Sequence, residues 1–260
     1  MSNSCRLTLY PAFDRAVTIK RHNRFVAGVR RPDGGCEDVH VPNSGRLPEL
    51  FTPGLPCLLV HYGGARKYPS SVVAVYYDDA WVLIDTQATN RIAAELLRRG
   101  LLEPFAGYGA VRAEVVRKPP GHSGSVKGLP RFDFRLDDHA AGRPPCWLEV
   151  KSVTLALDGT ALFPDAVTSR GARHVEELGG IAAAGHEAAA LLFLVQRADP
   201  RRFAPNDATD PAFGAALRRA VERGLEVHVR RLRIEPCAEN GGPLEVVLDG
   251  HLPLELSRGS

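Results

Sequence analysis

The chain has 260 residues, 44% of them apolar and 24% charged, with a net charge of +3. That is enough chain for one large core or two modest domains, with the charge content of an ordinary globular protein. So small a net charge excludes a broadly basic protein, and any nucleic-acid site has to be a local patch.

Residues 1 to about 86 read as all-β. Apolar and polar residues alternate in Arg15–Ile19 and Arg24–Val29, and Gly54–Val60, Ser71–Tyr77 and Trp81–Asp85 are expected as further short strands. Turn residues separate them: Pro-Asp-Gly-Gly at 32–35, Pro-Asn-Ser-Gly at 42–45, Gly63-Gly64 and Asp78-Asp79. In the second of these, Gly45 is expected to supply a positive φ. Short strands without a long helix suggest a small barrel, with an OB-like barrel as the leading choice.

The texture changes near residue 86. A helix is expected over Arg91–Arg99, with Asn90 as its N-cap, Gly100 as its stop and Ile92, Leu96 and Leu97 on its apolar side. Strands follow near Val111–Val116, Arg131–Leu136 and Trp147–Thr154. A helix over Arg170–Ala184 ends at Gly185, Ala189–Val195 reads as a buried strand, and Asp210-Pro211 opens a helix closed by Gly224. Val227–Ile234 and Leu244–Leu248 are late strands. Alternating strands and helices make 87–260 an α/β domain, with Gly/Pro-rich loops at 119–130 and 137–145 that are expected to be mobile.

Residues 1–13 lack the charged start and apolar core of a signal peptide, and the longest apolar run, Ala188–Val195, is too short to cross a bilayer. The five cysteines, Cys5, Cys36, Cys57, Cys146 and Cys237, are odd in number and contain no Cys-x-x-Cys. Neither a zinc site nor a disulfide framework is expected; a cytoplasmic protein with reduced thiols is.

The chemistry concentrates in Asp133 and the tripeptide Glu149-Val150-Lys151. Arg131, Asp133 and Arg135 alternate with Phe132, Phe134 and Leu136, giving one charged and one packed strand face. Trp147, Glu149 and Lys151 share a face of the next strand. If the two strands pair as a hairpin, Asp133 and Glu149 converge. Two carboxylates and the Val150 carbonyl would form an oxygen-only site suited to magnesium or manganese, and Lys151 would orient water or stabilise charge developing on phosphorus. An acid followed sixteen residues later by Glu-x-Lys is the arrangement of metal-dependent nucleases of the PD-(D/E)xK type. Only five of the 33 basic residues are lysines, so a lysine at 151 is more telling than a surface charge would be. The structural alternative is a cross-strand salt bridge among Asp133, Glu149 and Lys151. Arg170 and His174 share a helix face near its N-terminus, where they could meet phosphate; His174 alone reads more readily as a core histidine.

Arg15, Lys20, Arg21, Arg24, Arg30 and Arg31 fall within 15–31 with no acid among them and with Phe25 interleaved. Cations beside an aromatic platform suit a nucleic-acid backbone, and Arg46, Arg66 and Lys67 could extend the patch, with Arg131 beside the acids; the alternative is a solvated face.

The strings Arg21-His22-Asn23-Arg24-Phe25-Val26-Ala27 and His40-Val41-Pro42-Asn43-Ser44-Gly45-Arg46-Leu47 resemble the first half of the sugar fermentation stimulation protein (SfsA) family. Arg131-Phe132-Asp133-Phe134, Glu149-Val150-Lys151-Ser152-Val153-Thr154-Leu155, Phe163-Pro164-Asp165-Ala166-Val167-Thr168 and Phe193-Leu194-Val195-Gln196-Arg197 continue the resemblance in order, over about residues 7–235. It implies an OB-like barrel over 1–86 and a PD-(D/E)xK nuclease-like α/β domain over 87–260. It further implies DNA as partner, bound with little sequence specificity, and Glu95, Asp133, Glu149 and Lys151 as the nuclease-type set. Two functional expectations follow: metal-dependent phosphodiester hydrolysis, or a non-catalytic DNA-binding regulator of sugar (maltose) metabolism genes. A module that binds only protein is the third reading, and a homodimer is left open.

Overall fold

The structure, a computed structural model, describes residues 6–118 and 123–257; Cys5 and the start of the 119–130 loop lie outside them. Seven strands come first: β1 (Arg6–Tyr10), β2 (Asp14–Asn23), β3 (Val26–Arg30), β4 (Cys36–His40), β5 (Pro56–His61), β6 (Ser70–Tyr77) and β7 (Ala80–Leu83). Strands β2 to β6 form the OB barrel, in the order β4-β3-β2-β5-β6, closed where β4 meets β6 at His40 and Ser71. Its interior is a separate core of small β-branched and aliphatic side chains, among them Val29, Val39, Leu59, Val72 and Val75. The Asp78-Asp79 turn joins β6 to β7 with φ of 53° and 57° at its two residues, the primed geometry that matches strand twist in a two-residue hairpin.

The α/β part holds α1 (Thr86–Arg98), β8 (Tyr108–Val116), β9 (Arg131–His139), β10 (Cys146–Val153), β11 (Ala156–Leu157), β12 (Thr160–Phe163), α2 (Ser169–Ala184), β13 (Ala188–Val195), β14 (Arg202–Pro205), α3 (Pro211–Glu222), β15 (Glu226–Pro236) and β16 (Leu244–His251). Its main sheet runs β1-β16-β15-β13-β10-β9-β8; β10, β13 and β15 are parallel, and β8, β9 and β10 form an antiparallel meander. The parallel strands are covered on both sides, as such strands require. Ile92 and Leu96 of α1, with Leu58 and Val73 of the barrel, pack on Leu148 and Leu192 from one side. Val175 and Leu178 of α2, with Phe213 and Leu217 of α3, pack on Phe193 and Val195 from the other.

Three expectations change. First, the helix at 91–99 starts earlier: Asp85 is its N-cap, its carboxylate accepting from the backbone N–H groups of Gln87 and Ala88 at 2.9 and 3.3 Å, so Asn90 lies inside the helix. Second, Gly45 has no positive φ; Leu47 does. A Cβ at 45 would sit 2.5 Å from Asp165 Oδ2 and 2.9 Å from Asn43 Oδ1, so these side chains would have to shift. Third, residues 6–10 pair with β16, placing β1 in the seven-stranded sheet rather than in the barrel. The short β11-β12-β14 sheet and β4 carry too little alternation to be read from sequence.

Candidate functional site: the parting of two strands

Strands β9 and β10 are paired from Leu136–Cys146 to Phe134–Leu148, and the ladder stops there. At the next position the Asp133 side chain takes over: its Oδ2 accepts from the Val150 backbone N–H at 2.8 Å. Its Oδ1 accepts from Asn90 Nδ2 of α1 at 2.9 Å. Asp133 is thus fixed by one backbone donor and one side chain from a helix docked on the sheet. Burial raises its pKa, and the charge of Glu149 raises it further, against the Val150 and Asn90 hydrogen bonds and the Lys151 charge.

Glu149 is only 4% exposed. Its Oε1 accepts from Lys151 Nζ at 2.5 Å and from His174 Nδ1 of α2 at 2.7 Å, a contact in which Nδ1 carries a proton. Its Oε2 is buried and has no hydrogen-bond partner among the described residues. Burial works to raise the Glu149 pKa, but His174 and Lys151 outweigh it and hold the group below its ordinary value. The two acids therefore titrate in opposite directions. Phe132 closes the back of the site, its ring 5.6 Å from Trp147 and 6.0 Å from His174 between centroids.

Glu95 is held differently. It lines the same cleft as Asp133, a cavity of about 750 Å³ between β1, α1 and the β8–β9 edge, but its carboxylate is engaged by Arg98 and, at 2.7 Å, by Arg99. The hydrogen bond from Arg99 leads in holding its pKa low. Among the described residues no three His, Cys, Asp or Glu side chains come together as a metal-binding group. The oxygen donors available are those of Asp133 and Glu149, with Glu95 at the cleft wall.

The basic residues divide into two classes. Arg21 is a pin of the barrel: it donates to the carbonyls of Asn23, Arg24, Asn43 and Arg46, and its guanidinium lies 4.8 Å over the Phe51 ring. Arg15 donates to the Glu239 carbonyl at 2.8 Å and stacks over Trp81, tying the barrel to the β15–β16 loop. Arg31 is paired with Glu37 and Asp14, so a run without acids in sequence is met by acids in space. His174 faces Glu149 from the interior, and Arg131 lies 3.7 Å from Glu114. Lys20, Arg24, Arg46, Arg66, Lys67 and Arg170 are exposed and form no ion pair among the described residues. Arg66 and Lys67 lie over Tyr62 and Tyr68, and Phe25, 52% exposed, stands beside Arg24.

Sequence reasoning missed Asn90 as the partner of Asp133 and His174 as the partner of Glu149. For the first, the signal depends on placing the cap at Asp85: Asn90 then falls inside the helix, where Asn is a poor residue and calls for a purpose.

Comparison with known proteins matches both halves of the chain. Residues 19–84 match the SfsA N-terminal OB domain, and residues 87–238 match the sugar fermentation stimulation protein RE domain. A sugar fermentation stimulation protein homolog of Symbiobacterium thermophilum is 39% identical over 259 aligned residues, covering 94% of this chain and 95% of that protein. Another, of Thioalkalivibrio sulfidiphilus, is 39% identical and covers 95% and 98%. Among solved structures, that of Pyrococcus furiosus SfsA in complex with Ca2+ superposes with a TM-score of 0.76 at 24% identity, covering 96% of this chain and 99% of that one.

Proposed function

The chain belongs to the sugar fermentation stimulation protein family, and we propose that it binds DNA and hydrolyses phosphodiester bonds with the help of a divalent cation. One observation carries this reading: the buried Glu149 Oε2 without a partner, beside an Asp133 carboxyl whose pKa is raised in part by the Glu149 charge. A buried and a half-buried acid share one lysine and leave one oxygen open, and a hard cation such as magnesium or manganese suits an all-oxygen donor set. The Ca2+ of the Pyrococcus furiosus protein is a cation of the same preference.

Asp133 and Glu149 would hold the cation, Glu149 through its free Oε2. A bound cation supplies charge neutralisation at phosphate and a lowered pKa for water. Asn90 and the Val150 N–H keep Asp133 from turning away, and His174 does the same for Glu149. Lys151 presents its ammonium at the mouth of the pair, where it can hold water or stabilise charge developing on phosphorus. The unpaired Lys20, Arg24, Arg46, Arg66, Lys67 and Arg170 would meet phosphates without reading sequence, and Phe25 offers a stacking surface.

The test is incubation of the purified protein with single- and double-stranded DNA and magnesium or manganese, beside Asp133→Ala and Lys151→Ala. Cleavage by the parent that falls at least about a hundredfold in each variant is expected. Cleavage no faster than in the variants, on every substrate, overturns the enzymatic part. A second reading, DNA binding without hydrolysis, draws on one contact: Lys151 Nζ already donates to Glu149 Oε1. It requires metal-independent affinity that weakens with salt and with Arg24→Ala plus Arg46→Ala.

A further inference from the structure

A second cavity, of about 290 Å³, lies between the barrel and the sheet. Its walls are the 43–45 loop of the barrel, the chain from Ser152 to Leu155, and the segment from Leu162 to Thr168. It begins one residue beyond Lys151, so it neighbours the candidate metal site without being part of it. At this size it lies at the small end of ligand pockets and suits one flat group rather than two.

The lining offers no side-chain cation to a phosphate. No Lys, Arg or His contributes to it, and its one ionisable group is Asp165. Most of its other polar groups are already committed. Thr86 Oγ1 donates to the Pro42 carbonyl at 3.0 Å, and Thr168 Oγ1 accepts from the Gly171 N–H at 3.1 Å. Asn43 donates to the Ile84 carbonyl at 2.9 Å and accepts from the Gly45 N–H at 2.8 Å. Among the described residues the side chains of Ser44, Ser152 and Asp165 form no hydrogen bond or ion pair, though the Asp165 charge acts on the nearby Arg21 guanidinium. Asp165, itself exposed, lies close to the Gly45 backbone, its Oδ2 2.5 Å from where a Cβ on Gly45 would sit. Apart from the Thr154 hydroxyl the remaining side chains are apolar, and Val167 at the rim is 75% exposed. A neutral, flat ligand with N–H donors fits this lining.

Two cations adjoin the lining in the chain. Arg46 follows Gly45 directly, and Arg170 comes two residues after Thr168. Both are exposed and without an ion pair among the described residues. A hollow with one carboxylate, whose lining chain runs on into two exposed arginines, offers what a nucleotide needs: a base inside and flanking phosphates outside. Arg21 joins this loop to the barrel turn that carries Arg24 and Phe25, making one surface of it.

We propose that the interdomain pocket takes a single unstacked nucleobase of a DNA strand, with Asp165 accepting from its exocyclic amino group and the adjoining phosphates on Arg46 and Arg170. The assignment rests on the DNA-binding reading above and makes unpaired strand, rather than continuous duplex, the ligand of this surface. It also sets a base preference. Cytosine offers an N4 amino donor to the carboxylate, whereas thymine presents the O4 acceptor there.

The experiment is fluorescence anisotropy of the full chain with labelled oligo-dC, oligo-dT and duplex DNA at low salt, in the presence of a chelator. Oligo-dC is expected to bind about fivefold or more tighter than oligo-dT, the ratio that loss of one good base contact produces. Asp165→Asn, whose amide can pair with either base, brings the ratio to within about twofold. Removal of a negative charge strengthens phosphate binding generally, so the ratio is the readout and duplex affinity the control. Equal binding of the two oligonucleotides by the parent protein, or a preference that survives Asp165→Asn, overturns the pocket assignment while DNA binding stands. Absence of binding to all three DNAs overturns the assignment and the DNA-binding reading together.

Discussion

Asp133 and Glu149 show how two like side chains, one on each of two adjacent strands, acquire different properties from their donors. Burial works to raise both: at Glu149 the His174 and Lys151 side chains outweigh it and the group titrates low, while at Asp133 burial and the Glu149 charge outweigh two neutral donors and the group titrates high. For an acid with a raised pKa, the folded chain binds the proton more tightly than the unfolded chain. Its contribution is therefore fully favourable below the ordinary Asp value of about 3.9 and is lost as pH rises through the raised value. Asp133→Asn should accordingly stabilise the metal-free protein at neutral pH. The new amide can accept from the Val150 N–H and donate to a flipped Asn90 side chain. A rise in Tm of roughly 2–4 °C is expected in chelator, the change that about 1 kcal/mol makes in a chain of this size, and it should shrink as pH falls through the Asp133 titration. An equal or lower Tm at neutral pH would show that Asp133 is not held at a cost. The acids and Lys151 are legible in the sequence because strand alternation puts them on defined faces. Their supports are not: Asn90 and His174 are 43 and 25 residues from their partners and meet them only when the helices dock.

Among the elements, α1 links the barrel to the site. Asp85 caps it, and the same carboxylate accepts from Tyr10 of β1 and lies 3.8 Å from Arg91. Asp85→Ala would leave the first-turn N–H groups and the buried Tyr10 hydroxyl without their acceptor. A loss of about 2–3 kcal/mol in denaturant unfolding is expected, together with weaker divalent-metal binding, because Asn90 rides on the first turns of this helix. Unchanged stability would mean that water replaces the cap fully. Long elements with a single clear period, such as α2, β10 and β13, were readable from the sequence to within a residue or two. The two- to four-residue strands β11, β12 and β14 exist through their neighbours, and their pattern is too short to carry period-2 alternation.

At the scale of the molecule, the two family domains share material. Strand β1, from before the barrel, completes the seven-stranded sheet, and Leu58, Val73 and Leu83 of the barrel half belong to the same core as Leu148 and Leu192. A fragment beginning at residue 87 would expose the edge of β16 and an apolar sheet face. It is expected to aggregate or to unfold without a cooperative transition, whereas a soluble fragment with a sharp transition would show that the shared core is dispensable. The whole-chain resemblance gave the order of barrel and α/β domain, but pairing between residues 6–10 and 244–247 joins opposite ends of the chain and leaves no local signal.

The central claim is that Asp133 and Glu149 hold a divalent cation. Anomalous diffraction from crystals of the protein grown with manganese tests it most directly. The account predicts a peak within bonding distance of Glu149 Oε2 and an Asp133 oxygen, absent in Glu149→Gln. Manganese located elsewhere, or no peak at this position under saturating metal, would contradict it.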